Sequence, residues 1–268
     1  MVNKLADKTT SWVEVARPAG NAPREQGSVP VRRTSVKAVC LRGCGPRGCC
    51  NLLSTIVMLV LLFVLFIAVM FIASEFELRE ARKLPDTASI YESKAVCSTT
   101  NHTFPTLSAA KADGALVASC GECGQCSNAH DIQLYEDTAQ TLTVSTTSCG
   151  IKAVFGGREA STSCMRDAVN LTSGCTDCWV DNIICDLSKC VFTCLLFRMG
   201  WGGSNNAGDG EGELSKCLFC DERRCGPAFL HCSGANRRRS GLPSDIERNI
   251  SHVCPHVDVG PGANFTPS

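Results

Sequence analysis

Aromatic side chains are scarce in this 268-residue chain: three Trp, two Tyr and eleven Phe make up 6% of it. A domain short of aromatics lacks the side chains that bury most area per residue, so its core needs other support. Signatures of hydrolytic and nucleotide chemistry are also missing. There is no G-x-S-x-G, no H-E-x-x-H and no Walker loop. No D-x-D triplet occurs after residue 75. Net charge is zero. The most consequential absence is local: residues 52–73, LLSTIVMLVLLFVLFIAVMFIA, carry no charged side chain.

At about 1.5 Å per residue that run spans roughly 33 Å, enough for a hydrocarbon core of about 30 Å. Only Ser54 and Thr55 in it are polar. A helix is the expected form, because lipid offers the backbone no partners. Flanking charge gives the direction. Arg32, Arg33, Lys37, Arg42 and Arg47 precede the run, while Arg79, Arg82 and Lys83 follow it. Residues 1–50 hold nine Lys/Arg against three Asp/Glu, net +6, which leaves −6 for the rest of a neutral chain. The N-terminus is therefore expected in the cytoplasm and the C-terminal part outside or in a lumen, with plasma membrane and Golgi undistinguished. The sequons Asn101-His-Thr, Asn170-Leu-Thr, Asn249-Ile-Ser and Asn264-Phe-Thr all fall after the run. The expected organisation is a disordered tail (1–50), a signal anchor (51–74), a juxtamembrane stalk (75–96), a cysteine-rich helical ectodomain (97–254) and a flexible end (255–268).

Cysteine is what the chain has in abundance, 20 in all. Cys40, Cys44, Cys49 and Cys50 precede the run, abut it among arginines, and are palmitoylation candidates. The other sixteen follow it, an even number in an oxidising compartment, which reads as eight disulfides. Folding the chain back at the Gly/Asn-rich loop after Met199 pairs them by arithmetic. Cys178 with Cys232, Cys185 with Cys225, and Cys190 with Cys220 each sum to 410, and Cys194 with Cys217 sums to 411. Antiparallel helices place residues of constant sum at equal height, and cysteines seven apart share a helix face. Cys190 and Cys194 lie more than about 100° around an ideal helix from Cys185, so the last two pairs require a break or twist near Ser188. Partners for Cys97, Cys120, Cys123, Cys126, Cys149, Cys164, Cys175 and Cys254 stay open.

The fold expected is mainly α: one membrane helix, then a disulfide-stapled ectodomain with an antiparallel helical hairpin, about 173–197 with 213–233. Earlier helices are expected from Thr106 or Ser108 to Ser119, from Asn128 to about 148, and over 151–168 with a break at Gly156-Gly157. Coil is expected after Arg237.

Chemistry is thinly signalled. C-x-x-C occurs at Cys120/Cys123/Cys126, Cys175/Cys178 and Cys217/Cys220. A redox dithiol needs a lowered thiol pKa, and Cys175 near a helix start suits it best, yet no strand precedes it. His252-x-Cys254-x-His256 offers zinc-type ligands at poor spacing. Asp209-Gly-Glu-Gly-Glu lacks the EF-hand pattern. Arg237-Arg238-Arg239 is a compact basic run, by default solvated, which would suit an acidic glycan, a partner or a processing site.

The strings CGECGQCSNAHDIQLYEDTAQTLT, GCTDCWVDNIICDLSKCVFTC and CDERRCGPAFLHCSGANRRRSGLPSDIER resemble a cysteine-rich ectodomain of uncharacterised proteins from microalgae and related protists, over about residues 119–254. The resemblance implies a shared scaffold and no activity. The expectation is a single-pass glycoprotein with a binding or structural ectodomain, leaning away from catalysis. Two other classes stay open: a type II secretory enzyme of glycosyltransferase kind, and a thiol–disulfide oxidoreductase. No cofactor, metal or nucleic acid is expected. Expected partners are membrane lipid and, at the ectodomain, another protein or a glycan.

Overall fold

The computed structural model describes residues 46–85, 94–201, 214–246 and 252–258. The chain divides into Met1–Leu53, of which only the helical residues 46–53 are described, and Ser54–Ser268, which holds the rest of the described structure. The described part is mainly helical, with one small sheet.

Helix α1 runs Pro46–Arg82. From Leu52 its mean hydropathy reaches 3.4 and only 6% of the apolar window is buried, so it is no core helix of a soluble domain. Among the described residues it is the one helix long and apolar enough to cross a membrane. It does not stop where the apolar run ends. Glu75–Arg82, the start of the expected stalk, continue the helix, and its buried residues Met70, Ser74, Glu77, Leu78 and Ala81 recur at helical spacing. Residues 86–93 lie outside the described ones.

The sheet has the order β2-β1-β3, all antiparallel: β1 (Val96–Ser98), β2 (Thr103–Phe104) and β3 (Val117–Cys120). Helix α2 (Leu107–Ala112) is capped by Thr106, whose Oγ1 accepts from Ala109 N at 3.1 Å. The helix expected to reach Ser119 thus ends early. Gly114 turns the chain at φ 68°, and Val117 to Cys120 are strand. Cys254 is bridged to Cys120, and Asp258 N donates to Val117 O at 3.0 Å, so the chain beyond Cys254 follows the strand's edge.

Helix α3 (Ala129–Asp137) is capped by Asn128 and ends well short of 148. The buried Asp131 accepts from Thr172 N at 2.8 Å, which ties the start of α3 to the start of α5. Helix α4 (Leu142–Val169) is broken at Gly157, φ 65°. A straight helix would hold Cys149 and Cys164 about 22 Å apart at about 1.5 Å per residue. Their Cα atoms are 5.4 Å apart and the sulfurs are bonded, so α4 folds back on itself at the glycine pair. The main core lies among α3, α4 and α5, centred on Tyr135, Leu142, Met165 and Val180.

Helix α5 (Ser173–Lys189) is followed by α6 (Val191–Leu196) and a π-helical turn, Phe197–Trp201. After the undescribed 202–213 come α7 (Lys216–Arg224), capped by Ser215, and α8 (Gly226–Ser233) with Pro227 in its first turn. α5 packs on α8 and α6 on α7, which makes the antiparallel hairpin.

Candidate functional site

The hairpin is built around its sulfurs. Cys178 is joined to Cys232, Cys185 to Cys225, Cys190 to Cys220 and Cys194 to Cys217, with Cα–Cα distances of 5.7, 5.8, 5.9 and 4.6 Å. The break that the two loop-proximal pairs require lies at Cys190, φ −132° and ψ 13°, two residues beyond Ser188. A matching break lies at Cys225 between α7 and α8. The remaining cysteines pair as Cys97–Cys123, Cys120–Cys254, Cys126–Cys175 and Cys149–Cys164.

No C-x-x-C closes on itself. Each of its cysteines is bonded to a partner at least 23 residues away. A dithiol couple needs both sulfurs of the motif to exchange electrons as a pair, and here they belong to different bridges. The Cys254 sulfur is likewise taken, so His252 and His256 flank a disulfide rather than a thiolate.

Between the two outer staples, α5 and α8 enclose a cleft of about 250 Å³, walled by Asp181, Asn182, Ala228 and Phe229. The Trp179 ring meets Phe229 edge-on at 4.7 Å, and its Nε1 donates to Tyr135 Oη at 2.9 Å. Tyr135 Oη lies 3.4 Å from Cys175 Sγ, to which it donates, since a bridged sulfur carries no proton. Burial pushes the Tyr135 phenol up, with a smaller contribution from Asp131; the Trp179 hydrogen bond works the other way.

Beside the cleft, Asp186 of α5 faces Asp221 of α7. Burial above all, then the charge of Asp221 and its hydrogen bond, hold the Asp186 carboxyl well above the usual carboxylate range. Asn182 Nδ2 donates to Asp221 Oδ1 at 3.0 Å. Cys225 lies close enough to complete a three-ligand cluster, but its sulfur is bonded to Cys185. Two carboxyls holding a proton between them are what remains.

A second constellation involves α1. Glu77 is buried; its Oε1 accepts from Phe192 N at 3.1 Å, and its Oε2 accepts from Thr193 N and Thr193 Oγ1, both at 2.8 Å. Ser74 Oγ donates to Thr193 Oγ1 at 3.0 Å. The first turn of α6 has no cap of its own, and a carboxylate from α1 takes that place. Leu78 packs on Cys190 and Cys220, so the loop-proximal staples form the seat of α1.

The arginine run is not solvated. Arg237 pairs with Asp245 at 2.7 Å and donates to Ala139 O at 2.9 Å, Arg238 lies 3.5 Å from Glu222, and Arg239 donates to Gly234 O at 2.9 Å. All three are buried, which withdraws them from glycan binding or processing in the folded chain. Asn101 and Asn170 are exposed. They are also the two non-glycine residues at positive φ among those described, 56° and 64°, a conformation that asparagine tolerates. Asn249, Asn264, Cys40, Cys44 and the 209–213 loop lie outside the described residues, and Cys49 and Cys50 fall in the first turn of α1 with undescribed side chains.

Sequence reasoning passed over Glu77, Asp186 and Asp221. The pair was within reach: 186 + 221 = 407, within one turn of the 410 register. Nothing in the sequence distinguishes Glu77 from Glu75 or Glu80.

Residues 158–256 match the model of a family of unknown function (DUF8771). The match takes in the second limb of α4 and the whole hairpin with its four staples. No curated protein and no solved structure matches the chain.

Proposed function

We propose that this chain is a single-pass membrane glycoprotein, with its N-terminus in the cytoplasm, whose ectodomain is a binding or structural module of the cell surface or secretory pathway. One observation carries the reading: the ectodomain cysteines are held in eight bridges that cut across every C-x-x-C, in a domain seated on an apolar helix of membrane-spanning length. Sulfurs so arranged stabilise and do not shuttle electrons. Bridges of this kind persist in oxidising compartments, which supports a C-terminal part outside the cytosol. Cys40, Cys44, Cys49 and Cys50 are then reduced and open to acylation, and a protein or glycan is the partner for the cleft. Kinship with cysteine-rich ectodomains of microalgae and related protists belongs to the same reading; it is supported only by the match to a family without assigned activity.

The test is expression of the full chain in a eukaryotic secretory system. Endoglycosidase should shift the wild type, and the combined changes at Asn101→Gln, Asn170→Gln, Asn249→Gln and Asn264→Gln should abolish the shift. Protease added outside intact microsomes should remove an N-terminal tag and leave the ectodomain whole. A tag protected inside the microsomes would reverse the topology and end the proposal.

A further inference from the structure

The segment Val191–Trp201 is built inside out. Its protein-facing side is polar where it meets α1: Thr193, 3% exposed, is bonded to Glu77 and Ser74. Its outward side is apolar: Phe192, Leu195, Met199 and Trp201 are 37, 44, 44 and 48% exposed. Phe192, Leu195 and Met199 stand at i, i+3 and i+7, one face of a helix. A helix at a water-facing surface shows the opposite arrangement.

The contacts with α1 give this face its level. Thr193 meets Ser74 and Glu77, just past the end of the charge-free run at Ala73. From there the segment runs back along α1, and the Trp201 ring stacks on Phe71 with centroids 5.3 Å apart and planes at 19°. Phe71 is two residues inside the run, about 3 Å at helical rise. Burial of α1 likewise begins inside the run, at Met70, 3% exposed. The apolar face thus points outward at the depth where the span enters the lipid, and it ends in a tryptophan, the residue enriched at that boundary. Arg198, also exposed, has a stem long enough to reach lipid phosphates from there.

We propose that Val191–Trp201 is a second membrane element: a short interfacial segment lying in the leaflet on the ectodomain side, with Phe192, Leu195, Met199 and Trp201 in contact with acyl chains. Its partner is the bilayer that α1 spans, and the proposal rests on α1 being a membrane helix. The Phe192 and Thr193 amides of its first turn are taken by Glu77, and Cys194 N donates to Cys190 O, so these donors are not left to lipid, which offers them no partner. Glu77 and Thr193 satisfy each other on the protein side, so the Glu77 carboxylate is not turned toward the lipid.

The full-length protein, reconstituted into phosphatidylcholine vesicles, tests this by tryptophan fluorescence. Vesicles with brominated acyl chains are compared with unbrominated ones, for the wild type and for Trp201→Phe. Phenylalanine keeps a ring on Phe71, and an unchanged disulfide map verifies the fold. Trp12 and Trp179 contribute to both proteins and cancel in the difference. The expected result is that brominated lipid quenches the emission lost in Trp201→Phe and that external iodide does not. Leu195→Glu, as a second variant, should shift Trp201 emission to the red and reduce that quenching. Quenching of Trp201 by iodide and not by bromolipid would overturn the proposal, leaving α1 a membrane helix. Protection from both quenchers, with crosslinked dimers, would overturn it in favour of a second copy on this face. Loss of the protein from vesicles on alkaline wash would instead remove the membrane reading itself, and this inference with it.

Discussion

Single residues fix where backbones touch. Gly124 and Gly234 stand face to face: a Cβ at Gly234 would fall 2.1 Å from Gly124 N, and one at Gly124 would fall 2.4 Å from Gly234 N. The approach lets Gln125 N and Cys126 N donate to Cys232 O and Ser233 O, both at 2.9 Å. Gly234→Ala should therefore destabilise the oxidised protein well beyond the ~1 kcal/mol that an alanine at positive φ costs by conformation alone. Gly114→Ala, also at positive φ but with nothing within 4 Å, should cost about that ~1 kcal/mol. Guanidinium melts of both variants measure the difference; equal losses would show that the close approach is not what matters. Neither glycine announces its role in sequence, because close approach is a property of two distant segments. The arginine run was opaque for the same reason: Arg237 is bonded to Ala139 O, 98 residues away, and Arg238 lies beside Glu222 of α7.

At the scale of elements, legibility depended on whether a pattern was local or constrained by symmetry. The hairpin was readable because antiparallel helices impose a constant sum on cysteine numbers; three bridges sit on that line and the fourth within one residue of it. The strands were not readable. Val117–Cys120 is buried on both faces, so it shows no alternation, and the sheet has only strands of two to four residues. The fold-back of α4 was signalled by Gly156-Gly157, while its closure by Cys149–Cys164 was not. The hairpin also carries a pH signature. Asp186 holds its proton above the usual carboxylate range, whereas the unfolded chain releases it at about pH 4. Between those two values the folded state binds the extra proton, so its stability is full below about pH 4 and falls as pH rises through the window. Asp186→Asn should flatten that fall and raise the neutral-pH Tm; thermal melts from pH 4 to 8 check it, and an unchanged slope would refute the shared proton.

For the molecule as a whole, the decisive junction is that between the apolar helix and the stapled domain that follows it. Hydropathy made the apolar stretch of α1 legible, but not its continuation through Glu75–Arg82. The seat on α6 and α7 was hidden, because it depends on one glutamate reaching the first turn of a helix more than a hundred residues away. Glu77→Ala should expose the amides of Phe192 and Thr193 and weaken the seat by about 1.5–3 kcal/mol, the range for hydrogen bonds to a charged group. Hydrogen exchange of the full chain in detergent should show faster exchange confined to residues 191–196; exchange spread over α5 and α8 would mean that Glu77 supports the entire hairpin instead.

That seat has a mechanical corollary. A span adjusts its tilt to the thickness of its bilayer, and a flexible stalk would absorb the change. Here the helix enters the ectodomain without interruption from Ser74 to Arg82 and is gripped by two disulfide-braced helices. On the proposed topology a tilt of the span becomes a lean of the stapled domain, so membrane thickness would set the angle at which the cleft between α5 and α8 is presented.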